Sequence, residues 1–145
     1  MVISIHKRSN GFTVIELLVV MLVIIGLGFI AFNGRSDVLG RDRDTERRSD
    51  INLLYQQLEF YYDLGETNTY PTLANLQDDA WVAENMKALA EEALVDPAGR
   101  KVGTEGSNYT YEPENCDANG CASFKLTANQ EKSAPDPYVK NSVNQ

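Results

Sequence analysis

Glu16 is a carboxylate set inside an apolar run. From Phe12 to Phe32 the chain reads FTVIELLVVMLVIIGLGFIAF. As a helix, these roughly 21 residues span about 32 Å, enough to cross the hydrocarbon core of a bilayer. A carboxylate in such a span costs on the order of 2.5–3.5 kcal/mol. The cost falls if the group reaches the polar edge of the membrane or meets a cation. A second pair with chemistry in it is Cys116 and Cys121, spaced C-x4-C. Two cysteines without nearby histidine are too few for a structural zinc site. They make a local disulfide if the domain is exported and two free thiols in a reducing compartment. Between them, EPENCDANGC offers oxygens from Glu114, Asp117 and Asn119 to a calcium ion. The spaced carboxylates and closing glutamate of a calcium loop are missing, so the polar-turn reading is preferred. Asn108-Tyr109-Thr110 is a formal glycosylation sequon, a pattern common by chance. His6 is the only histidine, and no nucleophile–base arrangement is visible, so neither an enzyme nor a cofactor is expected.

These residues have to be positioned by a chain of 145 residues with a net charge of −8. Lys7 and Arg8 are the only charges before Phe12, so the remainder is more acidic still, about −10, and should repel a nucleic acid backbone. The basic cluster precedes the apolar run, and no A-x-A-like cleavage site follows it. The positive-inside rule puts residues 1–11 in the cytoplasm and the chain after Phe32 outside. The near balance of Arg35, Arg41, Arg43, Arg47 and Arg48 with neighbouring acids weakens that signal.

Glycines 26, 28, 34 and 40 predict a nearly continuous helix with a weak point around Asn33–Gly40. Beyond it, Arg47, Ile51, Leu54, Leu58 and Tyr61 line one face of a helix ending near Tyr62, with Asp44 and Arg48 as an i,i+4 pair. A turn is expected at Tyr70-Pro71-Thr72. A second helix is expected over 79–95, with Asp79 as its N-cap and Asp96-Pro97-Ala98-Gly99 as its stop. NYTYEP (108–113) and ASFKLTA (122–128) alternate as the strands of a hairpin. A third strand could come from Val102–Thr104 or from the C-terminal region. The polar stretch from Gln130 to Gln145 is expected to be disordered. Trp81, Tyr55, Tyr61, Tyr62 and Tyr70 suit a core better than an adhesive surface patch. The fold class is therefore α+β, a long N-terminal helix packed on a small antiparallel sheet. Its segments are 1–11, 12–32, 33–62, 63–129 and 130–145.

KRSNG followed by FTVIELLVVMLVIIGLGFIA resembles the N-terminus of type IV prepilins and of type II secretion pseudopilins. The matching features are the short basic leader ending in Gly11, then Phe12, Thr13, Glu16 and the long apolar run. YPTLANL, the DPAG turn, NYTYEP and ASFKLTANQEK carry a weaker likeness to small pilins and major pseudopilins. The resemblance implies a type IV pilin-like fold. It implies cleavage by a prepilin peptidase between Gly11 and Phe12, followed by N-methylation of Phe12. It further implies that Glu16 pairs with the amino terminus of a neighbouring subunit during assembly. The implied partners are the membrane, identical or related subunits, the peptidase, and an inner-membrane platform with its ATPase. The implied location is the cytoplasmic membrane, then an external pilus used in adhesion, twitching motility or DNA uptake. The alternative is a short periplasmic filament that drives protein export. Two departures stand out: the span lacks a proline, and C-x4-C is far shorter than the family's usual C-terminal disulfide loop.

Overall fold

Apolar side chains at helical spacing, with no proline to interrupt them, make one helix of the first half of the chain. The computed structural model describes residues 12–144, with the backbone alone over 31–37. Helix α1 (Val14–Leu64) runs for 51 residues and stays helical across Asn33–Gly40. It ends two residues later than the sequence indicates. There the Gly65 N–H donates to the Tyr61 carbonyl at 2.9 Å, and Asn68 Nδ2 donates to the Tyr62 carbonyl at 3.3 Å. The chain divides into two compact units, one up to Ser36 and one from Asp37 onward. The leader expected over 1–11 lies outside the described residues.

In the first unit every described large apolar side chain is exposed, from 48% at Val20 to 83% at Val14. Among the described residues, no helix is long and apolar enough to cross a membrane. The stretch with described side chains, from Val14 to Ile30, amounts to about 26 Å of helix, short of the roughly 30 Å of a hydrocarbon core.

The second unit is α+β. Ile51, Leu54 and Leu58 of α1 are fully buried, and Arg47 joins them on the same face. Strands β1 (Tyr109–Cys116), β2 (Cys121–Ala128) and β3 (Tyr138–Asn141) form an antiparallel sheet in the order β1-β2-β3. The third strand comes from the C-terminal region, which corrects the expectation that residues 130–145 are disordered. Composition suggested disorder because it shows only a shortage of apolar residues. The order comes from hydrogen bonds to α1, described below.

The helix expected over 79–95 is also corrected. Three short pieces replace it: α2 (Leu73–Gln77), α3 (Asp79–Asn85) and a 3-10 turn (Glu91–Leu94). Thr72 and Asn75 form a capping box that starts α2 within the expected turn. Asp78, not Asp79, caps α3 by accepting from the N–H groups of Ala80 and Trp81. Asp79 instead pairs with Lys101. Met86, Leu89, Ala93 and Leu94 are all buried. The core takes them from an irregular path despite the good helix propensity of MKALA, a case of packing overriding propensity.

Phe124 of β2 occupies the centre of an aromatic cluster. Its ring centroid lies 4.7 Å from Tyr70, 5.6 Å from Tyr111 and 6.2 Å from Tyr55. The tyrosine rings fill the core while their hydroxyls find acceptors at its edge. Tyr109 donates to Asp50 at 2.7 Å, Tyr111 to the Pro71 carbonyl at 2.7 Å, Tyr70 to Glu59 at 2.8 Å and Tyr138 to Asn52 at 3.0 Å. The aromatics of the sequence are thus mostly core: Tyr70 is fully buried, and Tyr55, Tyr62 and Trp81 pack against the buried cluster. Phe124→Ala should therefore remove about 3–5 kcal/mol of stability. Thermal or denaturant unfolding of the variant checks this, and a loss below 1 kcal/mol would contradict the central placement of that ring.

Candidate functional site

Two places carry polar chemistry that the fold must position: the entry of α1 and the seam between α1 and the C-terminal segment.

At the entry, Thr13 precedes the first helical residue. Its Oγ1 accepts from the Glu16 N–H at 3.3 Å, and its carbonyl accepts from the Leu17 N–H at 3.2 Å. Thr13 is therefore the N-cap and Glu16 sits at the third helical position, the T-x-x-E spacing of a capping box. A carboxylate in the first turn also faces the positive end of the helix dipole, worth about 0.3–1 kcal/mol. Glu16 is exposed and makes no ion pair among the described residues. Phe12, 78% exposed, immediately precedes the cap. Gly11 lies outside the described residues.

At the seam, Asp44 is fully buried. Oδ1 accepts from the Glu131 N–H at 2.8 Å and from Arg47 Nη1 at 2.7 Å. Oδ2 accepts from the N–H groups of Lys132 at 2.7 Å and Ser133 at 2.8 Å. Burial alone would raise its pKa, but the three backbone donors and Arg47 outweigh burial and hold it well below the ordinary carboxylate range. Glu131 accepts from Arg43 and, at 2.6 Å, from Arg47 Nη2, and these two guanidinium groups hold it at about 2. Arg48 reaches the Gln130 side chain at 2.8 Å and the Ala134 carbonyl at 2.6 Å.

The expected Asp44–Arg48 pair is thereby corrected. Asp44 turns toward the three N–H groups and Arg47, and Arg48 serves the segment beyond. Gly40 is close to the same segment: a Cβ there would stand 2.7 Å from Lys132 Cγ, so any larger residue would require that side chain to shift. Farther along, Glu59 accepts from the Val143 N–H at 3.0 Å. The C-terminal segment thus follows α1 from Asp44 to Glu59.

The DPAG stop is a second carboxylate hub. Buried Asp96 accepts from the N–H groups of Ala98 and Arg100 at 2.9 Å each. It also accepts from Asn108, through its N–H at 2.8 Å and Nδ2 at 3.1 Å. The side chain of the sequon asparagine is therefore committed to the fold.

Cys116 and Cys121 form a disulfide across the β1–β2 hairpin, where they are register partners. The turn inside it is closed by Asp117, whose Oδ1 accepts from the N–H groups of Asn119 at 2.8 Å and Gly120 at 3.2 Å. Glu114 instead lies within reach of the Ser123 hydroxyl at 3.4 Å. Among the described residues no group of three or more His, Cys, Asp or Glu side chains is placed to hold a metal ion.

The structure therefore joins the cysteines, places Phe12, Thr13 and Glu16 together at the entry of α1, and uses Glu114 and Asp117 separately. Sequence reasoning missed the clamp on residues 131–133. Its one readable signal was Arg47, a cation at a core position with Asp44 three residues before it.

Comparison with protein-family models, with curated proteins and with solved structures finds no match.

Asp44→Ala would leave three backbone N–H groups without their acceptor and Arg47 with Glu131 alone, at a cost of about 3–5 kcal/mol. Limited proteolysis should then cut first within 130–144. The pH dependence follows from the same groups. Glu131 and Asp44 have lowered pKa values, so their contribution is complete above the unfolded value of about 4.5 and fades as pH falls toward about 2. Asp50, raised by burial, works in the opposite sense. The melting temperature should fall on acidification over this range. Asp44→Asn should flatten that slope, and an equal slope in both proteins would refute the assignment.

Proposed function

We propose that the chain is a prepilin, cut between Gly11 and Phe12, N-methylated on Phe12 and polymerised through α1 into a type IV filament. The observation that carries this reading is the first unit itself. An uncovered apolar helix opens on a threonine cap directly after Phe12 and holds one carboxylate in its first turn. Water is a poor environment for such a surface, since each large apolar side chain left exposed forgoes about 1.5–3 kcal/mol. Lipid before assembly and neighbouring helices after it would both cover the surface. In a bilayer the helices would associate through close packing and polar pairs rather than through the hydrophobic effect. Glu16 would supply the polar pair. Its carboxylate would meet the amino terminus that cleavage creates on a neighbouring subunit, in surroundings where Coulomb attraction is strong.

A second support lies in the body. Leu53, Phe60 and Leu64 are 45%, 55% and 69% exposed. Their spacing of seven and four places them on one stripe of α1, away from the face that buries Ile51, Leu54 and Leu58. Such a stripe suits contact with another helix.

In this reading the partners are like subunits, the membrane, the peptidase and the assembly platform with its ATPase. The acidic body is not suited to direct binding of nucleic acid.

Mass spectrometry of a sheared cell-surface fraction tests the proposal. A peptide beginning at methylated Phe12, abundant in that fraction, is expected. Processed protein held only in the envelope would favour the secretion pseudopilin, and protein retaining residues 1–11 throughout would reject both. Gly11→Leu should leave the precursor uncut in the membrane. Glu16→Ala should be processed normally but reduce filament yield about tenfold or more, equivalent to about 1.4 kcal/mol or more of lost pairing. The double variant Leu53→Glu and Phe60→Glu should keep its melting temperature nearly unchanged and still assemble poorly. Normal piliation in Glu16→Ala would remove the pairing argument.

A further inference from the structure

The turn closed by the disulfide holds an Asn-Gly dipeptide, Asn119-Gly120, in a setting that favours its own chemical conversion. Asn119 is exposed. Its backbone is engaged on both sides: the N–H donates to Asp117 Oδ1, and the carbonyl accepts from Thr69 Oγ1 at 3.0 Å. Its side-chain amide has no hydrogen bond among the described residues. The next nitrogen, Gly120 N, donates to Asp117 Oδ1 at 3.2 Å. A nucleophile, an acceptor for its proton and an unheld electrophile therefore sit within two consecutive residues and the Asp117 carboxylate.

Glycine cannot be exchanged at this position. Gly120 has φ +143°, and a Cβ there would meet Thr69 Oγ1 at 2.5 Å and the Tyr70 carbonyl oxygen at 2.8 Å. That contact is where Tyr70 and Cys121 exchange backbone hydrogen bonds of 2.8 Å in each direction. Close packing of the hairpin on Tyr70 thus imposes the one residue whose bare backbone nitrogen is most open to attacking a preceding asparagine.

We propose that Asn119 is a site of spontaneous deamidation, with Asp117 as the base. Gly120 N attacks Asn119 Cγ and its proton passes to Asp117. The Cγ–Nδ2 bond then breaks, and ammonia leaves with that proton, giving a five-membered cyclic imide. Water adds to one of the two imide carbonyls. Opening at Cγ yields aspartate; opening at the backbone carbonyl yields isoaspartate, whose main chain is one carbon longer. Either product adds a negative charge beside Asp117. The isoaspartate also lengthens a turn whose ends are fixed by the disulfide.

The chain contains its own control. Asn33-Gly34 is the same dipeptide but lies within α1. There the helix holds the Gly34 N–H in its backbone ladder and fixes the dihedrals away from ring closure.

The test is timed incubation of the full-length protein in detergent at mildly alkaline pH, with the disulfide intact, followed by peptide mapping. Asn119 is expected to convert severalfold faster than Asn33; conversion at Asn33 that equals or outpaces Asn119 would overturn the proposal. Asp117→Asn should slow conversion at Asn119 severalfold, and an unchanged or faster rate would overturn the base assignment. Asn119→Gln, which would need a six-membered ring, should abolish the product, and a persistent mass gain at that position would point to a different reaction.

Discussion

A single buried carboxylate organises the body of this protein. Asp44 sits on α1 near the start of the second unit, with no exposure to solvent, and its oxygens accept three successive backbone N–H groups and one guanidinium. A buried charge is stable only when it is fully partnered. Three of its four partners come from residues 131–133, more than eighty positions later in the chain. Satisfying Asp44 therefore fixes where β2 must exit and where the segment leading to β3 must run. Two strands alone would be a weak sheet. The third strand exists because its approach is pinned at one end by Asp44 and at the other by Glu59, which accepts from the Val143 N–H.

The same logic governs the aromatic core. The largest fully buried side chains are Tyr70, Tyr109 and Tyr111, so tyrosine supplies much of the core volume. Each buried ring would carry a penalty for its hydroxyl unless an acceptor waited at the rim. Asp50, Asn52 and Glu59 provide acceptors from α1, and the Pro71 carbonyl provides the fourth. The polar residues flanking the apolar stripe of α1 are thus part of how the helix meets the sheet. Their hydrogen bonds set its rotation as firmly as Ile51, Leu54 and Leu58 set its depth.

Legibility in the sequence followed the range of the interaction. The core face of α1 was readable because it depends on spacings of three and four, and the β1–β2 hairpin because it depends on alternation over a few residues. The helix expected over 79–95 failed because its buried residues meet the core from separate short elements, which local propensity does not encode. The order of 130–144 failed for the opposite reason. Its composition is that of a disordered tail, and its order rests on acceptors contributed by a distant helix. Arg47 was the clue left in plain view: a cation spaced among core positions demands a buried anion, and Asp44 lies one turn away. Nothing local said that Asp44 had capacity left for three more donors. At the entry of α1, Thr13 and Glu16 were readable as a motif, and their capping geometry gives that motif a local role beside any role in assembly.

The two units place opposite demands on their surroundings, and that difference constrains any account of what the chain does. The body from Asp37 onward closes its own core, satisfies its buried carboxylates and ties down its C-terminal segment. The segment from Phe12 to Ile30 leaves its large apolar side chains exposed. On the proposed function, a subunit passing from one apolar environment to another would need this division. In that reading, the part that changes surroundings keeps an apolar surface that lipid or a neighbouring helix would cover, and the part that persists has to be stable without help from either environment. Glu16 belongs to the first part, and it is a group that a capped helix end can tolerate in isolation and that a neighbouring cation can hold more tightly. The gain in moving from the first condition to the second is what an assembly step in this reading would draw on.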